Sequence, residues 1–207
     1  VMLFMPPGAA KSTYASVVFP AWYMGKYPGK QILLASYASD LAKKHGRRTR
    51  QIVRSKLYEP IFGTALSKET SAADQWALDN GSEYMASGLL GGLTGNRADG
   101  GIIDDPVKGR QEADSEAVQK STIDAYEDDF NTRVKPGGWR VLIQTRWNEN
   151  DLAGHLLPED WNGESGDIEC RDGRTWHVLC LQAQCTRKDD PLGREPGEYI
   201  WPEWFNE

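Results

Sequence analysis

The segment from Pro6 to Thr13 holds the residue types that bind the phosphates of a nucleotide. An apolar run, Val1 to Met5, leads into turn residues and then into a Lys-Ser-Thr sequence. In a phosphate-binding loop (P-loop), backbone N–H groups and the start of a helix cradle the phosphates, a lysine adds positive charge and the first hydroxyl reaches Mg²⁺. The predicted nucleotide-binding residues are Pro7, Gly8, Ala9, Ala10, Lys11, Ser12 and Thr13.

The loop departs from the usual pattern G-x-x-x-x-G-K-[ST] at both glycine positions. Met5 stands at the first of them and Ala10 at the second. Because glycine adopts a positive φ without strain, we expect Gly8 to supply whatever positive φ the loop needs. The motif alone also fits a strand–turn–helix with a solvated lysine, so a second motif has to support the nucleotide interpretation.

A second apolar run, Gly101 to Asp105, ends in two adjacent carboxylates. In open α/β sheets ligands bind beyond the carboxyl ends of the strands, so these acids are expected to face the phosphates held by Lys11. We predict that Asp104 binds Mg²⁺ together with Ser12, and that Asp105 is the general base that polarises the attacking water. Acids at a strand end are common, but the P-loop and the carboxylate strand each predict the other.

Strands and helices have to alternate along the chain to bring these two motifs together. Apolar runs do alternate with helix-period segments, which predicts an α/β protein, a three-layer αβα P-loop NTPase with a mostly parallel central sheet. Pro20, which lacks a backbone N–H, should end or kink the first helix near Val18, and Ser39 is the predicted N-cap of the second. The predicted strands are 1–5, 31–37, 82–87, 101–105, 139–145 and 176–182. One predicted helix begins at 11, and the other three cover about 40–57, 114–134 and 151–157. Loops are predicted over 88–95 and 158–172, and a Pro/Gly-rich tail over 190–203.

The length and composition bear on the number of domains, on disulfide bonding and on membrane association. A length of 207 residues corresponds to one domain, or to one large domain with an appendage. Three cysteines are too few for a disulfide scaffold, and 39% hydrophobic residues exclude wholesale disorder. No stretch approaches the roughly 20 apolar residues that cross a bilayer, and no signal peptide is recognisable. Because the chain opens at Val1 rather than at methionine, we expect it to be a piece of a longer protein.

The charge is unevenly distributed along the chain. The formal net charge of −6, taken as an average, argues against a surface coated in basic residues that grips nucleic acid. The segment 43–56, however, holds seven lysines and arginines and no acid, whereas 112–129 holds seven acids and one lysine. We interpret the basic segment as a surface for phosphates or for the acidic segment of a neighbouring subunit. A solvated helix face is the alternative.

Several short segments, in this order, resemble the ATPase domain of the large terminases of tailed bacteriophages or prophages. They are Met5–Thr13, Phe19–Tyr23, Leu93–Gly95, Ile102–Lys108, Thr145–Trp147, Asp151–Gly154 and Trp201–Glu203. This ordered set is more specific than either nucleotide motif. The resemblance implies an Mg²⁺-dependent motor that hydrolyses ATP to translocate double-stranded viral DNA into a procapsid.

The resemblance also implies partners and a domain organisation. The partners would be double-stranded DNA, the portal and the small terminase subunit, with the active form a homo-oligomeric ring in the cytoplasm of an infected or lysogenic bacterial host, and no membrane. Residues 1–207 would form one ATPase domain, with a subdomain or linker region over 158–207. The nuclease domain of the family is expected beyond this chain, so no nuclease activity is assigned to it.

Two further residues are catalytic candidates. By the same resemblance, Thr145 stands in the family's coupling motif and would sense the γ-phosphate and relay its loss to a neighbouring domain. Arg97 follows the glycine-rich loop, and we predict that it stabilises transition-state charge in cis or in a neighbouring subunit. Judged by residue type alone, Thr145 is an ordinary strand residue, Arg146 a surface charge and Arg97 a solvated loop arginine.

Two other classes of function stay open from the sequence. One is a P-loop phosphotransferase that acts on a small molecule, although no arginine-rich lid segment is recognisable. The other is a nonenzymatic assembly module whose altered loop no longer binds nucleotide. A zinc site is disfavoured because its candidate ligands match no common ligand spacing; these are Cys170, His177, Cys180 and Cys185.

Overall fold

A mixed nine-stranded sheet forms the centre of the computed structural model, which describes residues 1–91, 93, 95 and 97–205. The strands are β1 (Met2–Phe4), β2 (Gln31–Ser36), β3 (Leu66–Ser71), β4 (Gln75–Leu78), β5 (Glu83–Gly88), β6 (Ala98–Asp104), β7 (Val134–Gln144), β8 (Gly166–Glu169) and β9 (Thr175–Cys180). Their order across the sheet is β3-β4-β5-β2-β6-β7-β1-β9-β8. From β5 to β9 neighbouring strands run parallel, whereas β3, β4 and β8 pair antiparallel at the two edges. The predicted mostly parallel sheet is confirmed.

Helices follow most of the parallel strands. They are α1 (Phe19–Lys26), α2 (Ser39–Val53), α3 (Tyr58–Phe62), α4 (Arg110–Ala113), α5 (Glu116–Asp124), α6 (Asn131–Arg133) and α7 (Leu152–Leu156). A π-helical turn, Thr13–Val18, precedes α1, and a second, Ala125–Phe130, joins α5 to α6. Within the described residues, none of the helices has the length and apolar character needed to span a membrane.

The helices cover both faces of the sheet and make three layers. On one face, α1 and α2 pack side chains such as Met24 against the sheet around Ile102. On the other face, Phe130 and the apolar residues of α7 pack around Ile103. Neighbouring residues of β6 contribute to opposite layers because successive side chains of a strand point to opposite faces. The predicted three-layer αβα arrangement is confirmed.

The first helix differs from the expectation. Pro20 does not end it, and the helical backbone continues to Lys26. The turn before the proline, Thr13–Val18, is π-helical and therefore wider than an α-helical turn. This extra width accommodates the proline ring, which would clash with the carbonyl four residues before it in a regular α-helix.

The second helix also begins differently from the prediction. Ala38, not Ser39, occupies the N-cap position, and Ser39 is the first helical residue. The Ser39 hydroxyl instead accepts a hydrogen bond of 3.1 Å from the backbone N–H of Gly88. Ser39 therefore ties the start of α2 to the end of β5, a long-range contact that a local capping pattern does not reveal.

Other helix and strand boundaries differ from the prediction, and some elements were not predicted. The helical region predicted for 114–134 begins at Arg110 and is interrupted at Ser115. The segment that contains α3, β3 and β4 received no prediction, and β8 lies inside the predicted loop 158–172. β3 and β8 are polar edge strands with few apolar side chains, so they lack the hydrophobic pattern that predicts a strand. Residues 158–207 contribute β8 and β9 to the central sheet.

The order of the central strands sets the position of the candidate site. β7 lies between β6 and β1, and all three strands run parallel. Their carboxyl ends therefore meet at one edge of the sheet. The P-loop follows β1, the carboxylates close β6 and Thr145 follows β7 directly.

The packing between β6 and β7 requires a glycine. A β-carbon on Gly100 would lie 2.0 Å from the ring of Trp139, which also packs edge-on against Phe19 and Tyr23. We predict that Gly100→Ala lowers the free energy of unfolding by about 1–3 kcal/mol through overpacking, measured by urea denaturation. The control is Gly109→Ala, where nothing lies within 4 Å of the added methyl group. It should cost less than about 1 kcal/mol, the difference between glycine and alanine at a helix N-cap; equal losses in both variants would contradict the packing argument.

Candidate nucleotide-binding site

The loop between β1 and the first helix has the backbone of a phosphate cradle without the usual second glycine. Gly8 has a φ of 81° and Ala10 a φ of 61°. The expectation that Gly8 alone supplies the positive φ is therefore wrong, because Ala10, at the second glycine position, does so as well. A β-carbon in this left-handed conformation costs about 1–2 kcal/mol. The loop keeps its shape at the expense of that strain.

Lys11 is the buried cation of the site. Only 7% of the residue is exposed, and its Nζ donates a hydrogen bond of 3.0 Å to Oγ1 of Thr145. The two residues are 134 positions apart in sequence and meet because β1 and β7 are neighbours. Burial raises the pKa of both Asp104 and Asp105, and the positive charge of the nearby Lys11 ammonium group opposes that rise. Lys11 is thus held at the edge where the phosphates of a nucleotide would bind.

Asp104 and Ser12 present two adjacent oxygen atoms to the same space. The Ser12 hydroxyl donates to Oδ1 of Asp104 over 3.0 Å, and Asp104 is fully buried. Burial raises the pKa of Asp104, and the hydrogen bond from the Ser12 hydroxyl opposes that rise. A carboxylate and a hydroxyl are oxygen ligands of the kind that Mg²⁺ prefers, and a cation would compensate a negative charge that burial disfavours. The donor set therefore fits Mg²⁺.

Asp105 is held by the backbone on both sides of its side chain. Its N–H donates to the carbonyl of Ile143, its own carbonyl accepts from the N–H of Tyr37, and its Oδ1 accepts from the N–H of Thr145 over 3.3 Å. Its φ is 47°, so Asp105 and Ala10 are the two described non-glycine residues with a positive φ, and both belong to this site. Burial raises the pKa of Asp105, which makes its carboxylate a better proton acceptor.

Helix α2 contributes a residue that the sequence analysis did not assign to the site. His45 is 5% exposed, and its Nε2 lies 3.3 Å from Oδ2 of Asp104. Burial, with the positive charges of Arg48 and Lys44, lowers the pKa of His45 to about 4, so the imidazole is neutral at pH 7. The available signal was helical spacing, since the buried residues of α2 include Ala42, His45, Thr49 and Val53.

Arg48 is a second inward-facing member of the basic segment 43–56. Its Nη2 donates a hydrogen bond of 3.2 Å to Oγ1 of Thr13, the residue after the predicted metal ligand Ser12. The segment is therefore more than a solvated stripe. One part of it lies beside the candidate site, and another part faces solvent, where Lys44 and Arg47 are exposed.

Arg146 stabilises the chain segment that follows Thr145. Its Nε donates to Oδ2 of Asp151 over 2.7 Å, and its guanidinium lies over the rings of Phe4 and Trp161. Asp151 is 4% exposed and caps α7 by accepting a hydrogen bond of 2.8 Å from the N–H of Gly154. The interpretation of Arg146 as a surface charge is wrong, because this ion pair is largely enclosed.

Arg97 lies at the other end of β6 from the carboxylates. It precedes Ala98, the first residue of the strand, whereas Asp104 is the last. At about 3.3 Å per residue, the strand separates Arg97 from Asp104 by roughly 20 Å. The prediction of a role in cis is therefore wrong, and a role in a neighbouring subunit stays a prediction. Thr94, which belongs to the segment Leu93–Gly95, lies outside the described residues.

Residues 2–191 match the sequence model of the family described as "Terminase large subunit, T4likevirus-type, N-terminal". The chain belongs to this terminase family. Its structure is similar to the crystal structure of the HK97 bacteriophage large terminase, with a TM-score of 0.50, 14% identity and coverage of 78% of this chain and 36% of that one. It is also similar to a variant ATPase domain of the Thermus phage P74-26 large terminase, with a TM-score of 0.54, 17% identity and coverage of 89% and 76%.

These likenesses confirm the fold of a terminase ATPase domain, which is P-loop NTPase-like. This terminase chain spans about a third of the length of the HK97 protein that it matches. None of the curated protein sequences matches it.

For this terminase domain we predict opposite effects of glycine at neighbouring loop positions. Ala10→Gly should raise the free energy of unfolding by up to about 1 kcal/mol, because the relief of left-handed strain exceeds the added flexibility of the unfolded chain. Ala9→Gly should lower it by about 0.5–1 kcal/mol, since Ala9 has no positive φ to relieve. Urea denaturation of both variants tests this, and a loss of stability in Ala10→Gly would contradict the strained loop conformation.

Proposed function

We propose that this terminase domain is an Mg²⁺-dependent ATPase that translocates double-stranded viral DNA into a procapsid. The observation that carries the proposal is the convergence of three groups at one sheet edge. They are the Lys11 ammonium, the Ser12–Asp104 oxygen pair and the Asp105 carboxylate. This combination supplies phosphate binding, metal binding and a base, which are the parts that phosphoryl transfer to water requires.

Lys11 and the loop N–H groups would hold the β- and γ-phosphates of ATP. A bound Mg²⁺, held by Ser12 and Asp104, would neutralise negative charge that develops on the phosphates. The Nζ of Lys11 donates to the Thr145 hydroxyl over 3.0 Å. A γ-phosphate competes for that donor, so the Thr145 hydroxyl changes its partner when ATP binds and again when the γ-phosphate leaves. This exchange gives Thr145 the role of a sensor at the end of β7.

Asp105 would orient the attacking water and accept its proton. One carboxylate oxygen, Oδ1, accepts the N–H of Thr145, which fixes the orientation of the side chain and leaves the other oxygen for the water. The raised pKa of Asp105 favours proton transfer to it. Asp105 and Thr145 are therefore in direct contact, and a proton acceptor is linked to the residue that senses the γ-phosphate.

The family supports a proposal for the partners and the compartment. The proposed motor binds double-stranded DNA, docks on the portal, works with the small terminase subunit and assembles as a homo-oligomeric ring in the cytoplasm of an infected or lysogenic bacterial host. In such a ring, Arg97 of one subunit would act on the nucleotide of the next.

Binding of Mg²⁺–ATP tests the phosphate site. We predict that Lys11→Ala raises the Kd at least about 10-fold, because a charge-assisted hydrogen bond to phosphate is worth about 1.5–3 kcal/mol. Isothermal titration with a non-hydrolysable ATP analogue measures it, and Lys68→Ala, an exposed lysine on β3, is the matched control. Binding that Lys11→Ala leaves intact would contradict the site, and no binding by the unaltered chain would favour the nonenzymatic assembly module.

Hydrolysis tests the base. Asp105→Asn should reduce phosphate release at least about 100-fold and leave the Kd for the analogue within about threefold, because an amide cannot accept the proton. Asparagine keeps an acceptor for the Thr145 N–H and tolerates a positive φ, so the loop should keep its shape. The assay is steady-state phosphate release with and without double-stranded DNA. Undiminished hydrolysis would exclude Asp105 as the base, and hydrolysis indifferent to DNA would favour a small-molecule phosphotransferase.

A further inference from the structure

The carboxyl-terminal tail lies over the phosphate loop. After β9, the chain returns along itself, with a bridge between Gln184 and Tyr199 and a hydrogen bond of 2.8 Å from the N–H of Ile200 to the carbonyl of Ala183. β9 is the direct neighbour of β1, whose carboxyl end leads into the loop. The tail is therefore anchored beside the loop by the order of the strands.

Trp204 is the tail residue that reaches the loop. A β-carbon on Gly8 would lie 3.1 Å from the indole Nε1 of Trp204, so the indole N–H end lies directly above the loop backbone. The backbone N–H groups of Trp204 and Phe205 both donate to the carbonyl of Trp201, which closes a tight turn. Trp201 stacks on Trp204 with ring centroids 5.8 Å apart and supports it from the side.

This indole pair exposes aromatic surface beside the loop. Trp204 is 64% exposed and Trp201 45%. The indole N–H of Trp204 is a donor only, and at this exposure it is open to solvent. Because it lies against the loop backbone at Gly8, an oxygen of a ligand held by the loop would come within its reach and replace a solvent acceptor.

We propose that Trp204 is a nucleotide-contacting residue whose indole N–H donates to an oxygen of the bound nucleoside triphosphate and whose ring covers the outer side of the loop. The inference rests on the proposed nucleotide site and extends it to the tail. The segment Trp201–Glu203, which the sequence analysis singled out, thereby gains a role as the support that holds Trp204 over Gly8. A tail that instead blocked the loop would have the opposite effect on affinity.

The test is binding of an unlabelled non-hydrolysable ATP analogue with Mg²⁺, followed by calorimetry and by intrinsic tryptophan fluorescence. Trp204→Ala should raise the Kd about 10-fold and abolish the fluorescence change on binding. Trp204→Phe keeps an aromatic ring without the N–H, so its Kd should be raised nearly as much as that of Trp204→Ala. The control is Trp22→Ala, an exposed tryptophan of α1 that stacks on Phe19 and lies under Lys26; it should bind as the unaltered chain does.

The outcomes separate the inference from the proposed function. If the unaltered chain binds the analogue and Lys11→Ala does not, the nucleotide site stands. An unchanged Kd in Trp204→Ala then overturns the inference alone, and a lower Kd overturns it in favour of a blocking tail. If the unaltered chain does not bind the analogue, the proposed function and the inference fail together.

Discussion

The buried carboxylate of Asp104 is the group on which the rest of the site depends. Removal of a carboxylate from water costs several kcal/mol, and the structure compensates this cost only in part. Ser12 donates to one oxygen, while the imidazole near the other is neutral at pH 7 because the pKa of His45 is about 4. Asp104 therefore carries a raised pKa, and a divalent cation would relieve the imbalance. In the proposed function, nucleotide binding and metal binding meet at this one side chain.

Thr145 connects the two chemical halves of the site. Its hydroxyl accepts from Lys11 and its backbone N–H donates to Asp105, so it touches both the phosphate-binding cation and the proposed base. This position follows from the strand order, because β7 lies between β1, which leads into the loop, and β6, which ends in the carboxylates. Arg146, the next residue, is fixed by Asp151, the N-cap of α7, so a displacement of Thr145 would reach α7. The geometry gives the proposed sensor a defined route into the fold.

The sequence predicted the centre of the fold better than its edges. β2 and β6 were predicted because strands buried on both faces are continuous apolar runs. The motif after β1 and the motif at the end of β6 predicted that Lys11, Ser12 and Asp104 lie together. β3 and β8 were missed because polar edge strands have no such pattern. His45 and Arg48 were missed because their position depends on how a crossover helix packs beside the loop. The positive φ of Ala10 was missed because residue types alone do not report backbone strain. Arg97 immediately precedes the strand that carries the carboxylates in the sequence, but the length of that strand separates Arg97 from them in space.

Helix α2 determines which residues of the basic segment 43–56 are exposed. His45 contacts Asp104, Arg48 contacts Thr13, and Lys43 pairs with Asp74 over 3.2 Å, so these residues already have partners within the chain. The exposed Lys44, Arg47 and Arg54 follow a helical spacing of three and seven residues and share the outward face. Few phosphate contacts mean weak binding with a shallow salt dependence, which would suit the proposed motor because it has to release its substrate in every cycle. In the proposed motor, one rigid helix would therefore carry the metal-site residues on one face and the DNA-binding residues on the other.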